Sequence, residues 1–146
     1  MVGYWRPLND TRGTMFQLSK KADYGLIALK HLAQHSDGSV SAREIASEYK
    51  IPAPLLAKVL QRLARKGLLV SQQGINGGYV LAREASKISI VDVMEAIDGP
   101  IGMTPCERGS SCEQIERCSV RDPLMKLKVK VVRILGDTSI YELAMN

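Results

Sequence analysis

Apolar residues recur at helical spacing over much of the chain, and capping and turn residues divide this pattern into segments. The first segment, from Ser19 to about Gln34, predicts an amphipathic helix. The second begins at Ser41, which forms a capping box with Glu44 in front of a short helix that ends near Tyr49. The chain therefore opens with two helices joined by a polar break.

A third helix is predicted between two prolines and a glycine. Pro52 and Pro54 are compatible with a turn or a first helical turn, and Gly67 is a favourable residue just beyond a helix end. The residues expected to face inward are Leu55, Leu56, Val59, Leu60 and Leu63. The runs 68–71 and 79–82, on either side of a turn with three glycines, predict a β-hairpin.

The second half of the chain alternates helical and irregular patterns. Ser89 and Asp92 offer a cap for a helix that Gly99 ends. An irregular stretch follows, and Pro123 opens a long helix before a short tail helix that starts at Thr138 or Ser139. One stripe of the long helix is apolar and is a candidate dimerisation surface: Leu124, Leu127, Val131, Ile134 and Leu135.

The predicted fold is mainly α with a small β-hairpin (α+β), arranged as a winged helix-turn-helix followed by a long C-terminal dimerisation helix. Helix, short helix, tight turn, helix and hairpin is the order typical of that motif. The expected organisation is a flexible leader (1–14), a DNA-binding region (15–99), a cysteine-containing loop (100–122), and a dimerisation helix with its tail (123–146).

This order of elements favours DNA as the partner, because a major groove about 12 Å wide admits one α-helix. Lys58 and Gln61 lie one turn apart on the third helix, off its apolar stripe, and Arg62 suits a phosphate. The candidate DNA contacts are Lys20, Lys21, Ser41, Pro54, Lys58, Gln61, Arg62, Gln72, Gln73, Asn76 and Gly77. A winged helix that binds protein instead of DNA is the alternative.

Composition adds modest support for this interpretation. The 146 residues carry a formal net charge of +5, which suits a polyanionic partner but is shared by many soluble proteins. Aromatic residues make up only 5% of the chain, so the core must be mostly aliphatic. No apolar run approaches the roughly 20 residues that span a bilayer. We therefore expect a cytoplasmic protein without a membrane partner, whose thiols stay reduced.

All three cysteines lie in the irregular segment, at Cys106, Cys112 and Cys118, with the spacing C-x5-C-x5-C. Three is an odd number, which argues against a closed set of disulfides. Thiolates this close together suit an iron–sulfur cluster, which normally takes four ligands. A zinc site and a thiol redox switch are the alternatives. Candidates for a fourth ligand are His31, which fits a core position better, His35, Asp23 and Glu116.

Four stretches of this sequence resemble the Rrf-type family of transcription regulators. They are the segment LSKKADYG from Leu18 to Gly25, the helix exit at Gly67 and Leu68, the hairpin turn GINGGY from Gly74 to Tyr79, and the cysteine triplet. The resemblance covers the chain from Met15 to its end. It implies a homodimeric winged-helix regulator with a long dimerisation helix.

The same resemblance implies an iron–sulfur cluster on the three cysteines. IscR-like members have a histidine three residues after the third cysteine, where this chain has Arg121. NsrR-like members use an aspartate from the first helix of the partner subunit, which corresponds to Asp23 here. The cluster, with two or four irons, would therefore be held by Cys106, Cys112 and Cys118, with Asp23 as the preferred fourth ligand.

The expected function is a repressor that binds a palindromic operator as a homodimer and senses cluster status. The opening LSKKADY resembles regulators of the SUF cluster-assembly operon, which makes those genes the first expected target. A nitric-oxide-responsive or redox-responsive regulator of the same family is the alternative, and a zinc- or thiol-based DNA-binding regulator is another. An enzyme is not expected, because the chain contains no catalytic triad order, phosphate loop or paired-carboxylate motif.

Overall fold

The computed structural model describes residues 18–104, Glu107 and residues 113–146. The predicted leader 1–14 lies outside the described residues, as do Cys106 and Cys112. None of the described helices is long and apolar enough to cross a membrane. In chain order the helices and strands are α1 (Lys20–Gln34), α2 (Ala42–Tyr49), α3 (Ala53–Arg65), β1 (Leu69–Gln72), β2 (Gly78–Leu81), α4 (Ile90–Asp98), α5 (Arg121–Asp137) and α6 (Ile140–Met145).

The capping boxes expected from the sequence are present. The Ser41 hydroxyl accepts a hydrogen bond from the Glu44 amide, and the Glu44 carboxylate accepts one from the Ser41 amide. Ser89 and Asp92 make the same reciprocal pair at the start of α4. Each box satisfies amide groups that have no acceptor within the helix, so these helix starts are determined locally.

The end of α3 explains why the hairpin begins one residue later than expected. Gly67 has a positive φ of 79°, its amide donates to the Ala64 carbonyl, and the Leu68 amide donates to the Leu63 carbonyl. This pair of bonds is the Schellman pattern of helix termination. Because the Leu68 amide still caps α3, only the Leu68 carbonyl joins the hairpin, accepting from the Ala82 amide, and β1 begins at Leu69, opposite Leu81.

The hairpin is fastened to the residues just before α2. Val40 and Tyr79 exchange two backbone hydrogen bonds of 3.1 and 2.8 Å. Gly78 lies so close to the Val40 backbone that an added Cβ would be 2.5 Å from the Val40 carbonyl carbon and oxygen. The hairpin and the start of α2 are therefore held in one fixed relation.

The core forms around α1, which packs against α3, α4 and α6. One side of α1 is made of small residues, and a Cβ added at Gly25 would be 3.3 Å from a Val93 methyl carbon and 3.6 Å from one of Val59. Small residues here let α3 and α4 approach the α1 backbone closely. The most deeply buried larger side chains are Leu29, Ile45, Leu56, Leu60, Leu63, Leu68, Ile88, Val93 and Ile140.

The C-terminal part of the chain returns to this core. The long helix α5 begins at Arg121, two residues before the expected Pro123, which the first turn tolerates because its amides have no intrahelical acceptor. The short helix α6 packs on α1, with Ile140 fully buried and its amide bonded to the Ile88 carbonyl. The tail expected to accompany the dimerisation helix thus packs into the same core as α1.

We predict that Gly78→Ala destabilises the protein by about 1–3 kcal/mol, because the added methyl collides with backbone atoms that cannot rotate away. The free energy of unfolding in urea measures the loss. Gly38→Ala is the matched control, since an added Cβ there meets nothing within 4 Å. Equal stability of the two variants would show that the hairpin is not pressed against Val40.

Candidate nucleic-acid interface and cysteine segment

Basic side chains from α1 and α3 line one open groove with a volume of about 690 Å³. Lys21 comes from the first turn of α1, and Lys58 and Gln61 come from the exposed face of α3. The groove floor is apolar, and Arg62, Arg65 and Lys66 complete its basic side. The structure thus brings together four of the expected DNA contacts, Lys21, Lys58, Gln61 and Arg62.

Pro54 and Lys20 are close in sequence to residues of this groove but do not line it. Pro54 is exposed in the first turn of α3, on the same helical face as Lys58 and Gln61 by its spacing. The Lys20 ammonium lies 5.5 Å from the centre of the Tyr24 ring, which is within range of a cation–π interaction. Both residues are accessible to a partner.

Arg62 has a structural contact that the sequence did not reveal. Its Nε donates a 3.0 Å hydrogen bond to the Ala96 carbonyl, which lies in the last half of α4. This bond ties α3 to α4 over 34 residues of chain. Arg62 therefore holds α3 in place with one nitrogen, and its other guanidinium nitrogens are what it can offer to phosphate.

The hairpin supplies the remaining expected contacts. Gln72 ends β1, and Gln73, Asn76 and Gly77 belong to the turn, where all but the half-buried Gly77 are exposed. The turn is closed by a bond from the Gly77 amide to the Gly74 carbonyl, and the Ser39 hydroxyl donates to the Asn76 carbonyl at 2.6 Å. Ser41 lies at the base of the hairpin, where its hydroxyl oxygen accepts the α2 cap bond and its proton remains available to a phosphate.

The segment that carries the cysteines is anchored to α5 by Glu107. Lys128 of α5 donates a 2.6 Å hydrogen bond to one carboxylate oxygen of Glu107. The amides of Met103 and Thr104 donate to the other oxygen. The Lys128 ammonium, together with these amides, lowers the pKa of Glu107 to about 2, so the carboxylate is charged at neutral pH.

Sequence reasoning missed this anchor because 21 residues separate its partners. A signal was present, since Lys128 follows Leu124 by four residues and precedes Val131 by three, which puts it within the apolar stripe. A lysine in the middle of such a stripe indicates an acidic partner nearby.

The candidate cluster ligands are only partly described. Cys118 is half-buried and lies three residues before the start of α5. Asp23 is half-buried in the first turn of α1, and Glu116 is exposed. Leu18, at the entrance to α1, lines an apolar pocket together with Ile101 and Met103, so the start of α1 borders the start of the cysteine segment.

No group of three or more metal-ligating side chains occurs within the described part of the chain, which leaves out two of the three cysteines. His31 is buried, and its Nδ1 lies 2.9 Å from the Tyr49 hydroxyl, which confirms its expected core position. Burial, reinforced by the stacked ring of His35, lowers the pKa of His31. His31 is therefore part of the α1–α2 packing, and His35 is the exposed cap residue at the end of α1.

The apolar stripe of α5 is divided between two environments. Val131 and Leu135 line the apolar pocket, of about 280 Å³, that lies between α4 and α5. Leu124 is also half-buried. By contrast, Leu127 and Ile134 are 45% and 67% exposed. One edge of the stripe thus packs on the chain itself, and the other edge is uncovered in the single subunit.

The helix pair α2–α3, the hairpin fastened beside it and the basic groove define a winged-helix protein of the DNA-binding class. The sequence profile of the Rrf2 family, described as iron-dependent transcriptional regulators, matches residues 18–146. The chain belongs to this family. It is therefore a DNA-binding transcription regulator and not an enzyme, as expected.

Individual relatives agree with this assignment. The chain is 30% identical over 131 residues to the HTH-type transcriptional regulator IscR of Xenorhabdus nematophila, covering 89% of this chain and 80% of that protein. It is 47% identical over 72 residues to a putative HTH-type transcriptional regulator of Aquifex aeolicus, covering 49% of this chain and 50% of that protein.

Solved structures give the same fold. The structure of CymR, the global cysteine regulator of B. subtilis, matches with a TM-score of 0.74 and 28% identity, covering 90% of this chain and 98% of CymR. The structure of IscR from T. potens matches with a TM-score of 0.69 and 26% identity, covering 87% of this chain and 85% of that one. The predicted winged-helix fold is confirmed.

We predict that Arg62→Ala lowers the free energy of unfolding by about 1 kcal/mol, because the Ala96 carbonyl loses its donor. Arg65→Ala, which removes the same charge from an exposed position on α3, is the control and should leave stability within about 0.5 kcal/mol of wild type. Urea unfolding of both variants decides the point. Equal effects would mean that the α3–α4 bond contributes nothing.

Proposed function

We propose that this regulator is a homodimeric repressor that binds a palindromic operator and responds to an iron–sulfur cluster held by Cys106, Cys112 and Cys118. The observation that carries the proposal is that the cysteine segment is held to α5 at Glu107 and leads directly into it after Cys118. Glu107, which follows Cys106 in the chain, is bonded to Lys128, and Cys118 stands three residues before α5 begins. A ligand on the cysteines would therefore act directly on the long helix.

The donor set fits a cluster. Three thiolates are the ligands that iron–sulfur centres prefer, and a carboxylate such as that of Asp23 would supply the fourth position. When bound, the cluster would supply sensitivity to oxygen, iron supply or nitric oxide, because each of these removes it. The target genes that we propose first are those of SUF-type cluster assembly.

The chain's own residues would do the remaining work. Lys128 and the amides of Met103 and Thr104 hold the first part of the cysteine segment in place. The uncovered edge of α5, with Leu127 and Ile134, would pair with the same edge of a second subunit along a two-fold axis. Such a dimer places two recognition helices roughly 34 Å apart, one turn of DNA.

Within each subunit, α3 would enter the major groove. Lys58 and Gln61 would face the bases, and Lys21 and the arginines of the groove would meet phosphates. The capped start of α2 at Ser41 would approach the backbone, where a helix N-terminus favours negative charge. The hairpin, with Gln72, Gln73, Asn76 and Gly77, would reach the neighbouring groove.

A thiol-responsive regulator is the second candidate, and the likeness to CymR favours it. That protein is described as a global cysteine regulator, and its structure matches 90% of this chain. In this alternative the cysteines of the segment would be oxidised or modified and would carry no iron.

We predict that protein purified without oxygen, or reconstituted with iron and sulfide, shows visible charge-transfer absorbance that Cys112→Ala abolishes. The variant removes one of the three thiolates on which the cluster depends. Ser111→Ala, the adjacent substitution, is the control and should keep the colour and the iron and sulfide content. A colourless protein that still regulates normally would reject the cluster and favour the thiol mechanism.

We also predict that Lys58→Ala weakens operator binding by ~10-fold and reduces the slope of log affinity against log salt by about one. The operator would be DNA selected by the wild-type protein from a random library, and fluorescence anisotropy at several salt concentrations measures both quantities. Lys126→Ala, which removes one exposed charge from α5, is the control. Unchanged affinity and slope in Lys58→Ala would show that α3 does not face the DNA.

A further inference from the structure

The tip of the hairpin presents a fully exposed isoleucine. The relative accessibility of Ile75 is 105%, the highest of the large exposed apolar residues in the described part of the chain. A single exposed apolar side chain is ordinary on a protein surface. Ile75 differs from that ordinary case because the backbone that carries it is held rigidly.

Two hydrogen bonds and one close backbone approach fix this tip. The Gly77 amide closes the turn on the Gly74 carbonyl, and Gly77 has no room for a side chain, since an added Cβ would lie 2.6 Å from the Gln72 carbonyl oxygen. The Ser39 hydroxyl holds the Asn76 carbonyl, directly after Ile75. Hydrogen bonds thus hold the residue on each side of Ile75, Gly74 before it and Asn76 after it.

The tip also has a fixed position relative to the helix pair α2–α3. The bonds between Val40 and Tyr79, and the close contact of Gly78 with Val40, join the hairpin to the residues that lead into Ser41 and α2. The hairpin cannot swing without disturbing the start of α2. Where α2 and α3 dock on DNA, Ile75 is therefore carried to one defined place on the duplex.

The hairpin carries no side-chain charge that could form an ion pair with phosphate. From Val70 to Leu81 the chain contains no charged residue, and the side chains near Ile75 are the amides of Gln73 and Asn76. Amide side chains read the acceptor edges of the minor groove, and apolar wedges inserted beside them unstack base steps. Pyrimidine–purine steps open most easily, so a wedge converts DNA deformability into specificity.

We propose that Ile75 is an apolar wedge that enters the minor groove next to the site of α3 and partly unstacks one base step. This inference rests on the proposed DNA-binding mode. It adds a specificity determinant that acts without charge and without a hydrogen bond to a base. The two halves of a palindrome would each carry one such step, at the same distance from the centre.

The test uses the full-length protein and duplexes that the wild type selects from a random library. We expect Ile75→Ala to bind these duplexes about tenfold more weakly, with an unchanged dependence of affinity on salt, because no counterion is released by an apolar contact. The control is Val70→Ala, which shortens another exposed apolar side chain of the same hairpin and should leave affinity unchanged. Urea unfolding should show wild-type stability for Ile75→Ala.

Unstacking has its own measurement. 2-Aminopurine, placed in turn at each step of the flank that the hairpin would reach, should brighten at one step when the wild type binds and stay dim with Ile75→Ala. Wild-type protein that selects no DNA would overturn the DNA-binding mode and the wedge together. Wild-type protein that binds well, with Ile75→Ala binding equally or with no step brightening, would overturn the wedge alone.

Discussion

The close approach of α3 and α4 to the small-residue side of α1 is the contact that positions the DNA-binding helices. At Gly25 the two helices come within van der Waals distance of where a Cβ would be, and Ala22 and Ala28 are fully buried on the same side. A larger residue at Gly25 would push against Val93 and Val59 together. Lys58 and Gln61 lie on α3, so the distance between α3 and α1 sets the position of the basic groove.

The local parts of this fold were predictable because their causes lie within a few residues. The capping boxes at Ser41 and Ser89 depend on residues three positions apart, and the end of α3 depends on the left-handed conformation of Gly67. The winged-helix class followed from the order of these elements. The bounds of the two strands differ from the expected runs by one residue, since the Leu68 amide completes the α3 cap.

The missed features share a different cause. The bonds of Arg62 to Ala96 and of Lys128 to Glu107 join residues 34 and 21 positions apart. A long basic side chain can reach either water or a less exposed acceptor from the same backbone position, so the sequence alone did not identify these partners. The return of α6 to α1 was missed for the same reason, because the pattern around Ile140 identifies an amphipathic helix but does not identify its partner. Of the candidate site, the sequence supplied the residue types, and the fold supplied which of them meet.

The difference in packing between the two halves of the chain indicates where a regulatory change can occur. Within the DNA-binding region, backbone bonds fix the hairpin to α2, and Arg62 fixes α3 to α4. By contrast, an apolar pocket of about 280 Å³ lies between α5 and this rigid part. The Lys128–Glu107 ion pair joins α5 to the cysteine segment. A pocket of that size leaves side chains without contacts on one side, so tilting α5 costs less than deforming the DNA-binding region. A ligand can shift such an equilibrium only by binding one arrangement better than the other. A centre on the cysteines, the last of which lies three residues before α5, would meet that condition by favouring one tilt. In a dimer built on α5, a small tilt would change the spacing of the two DNA-binding regions.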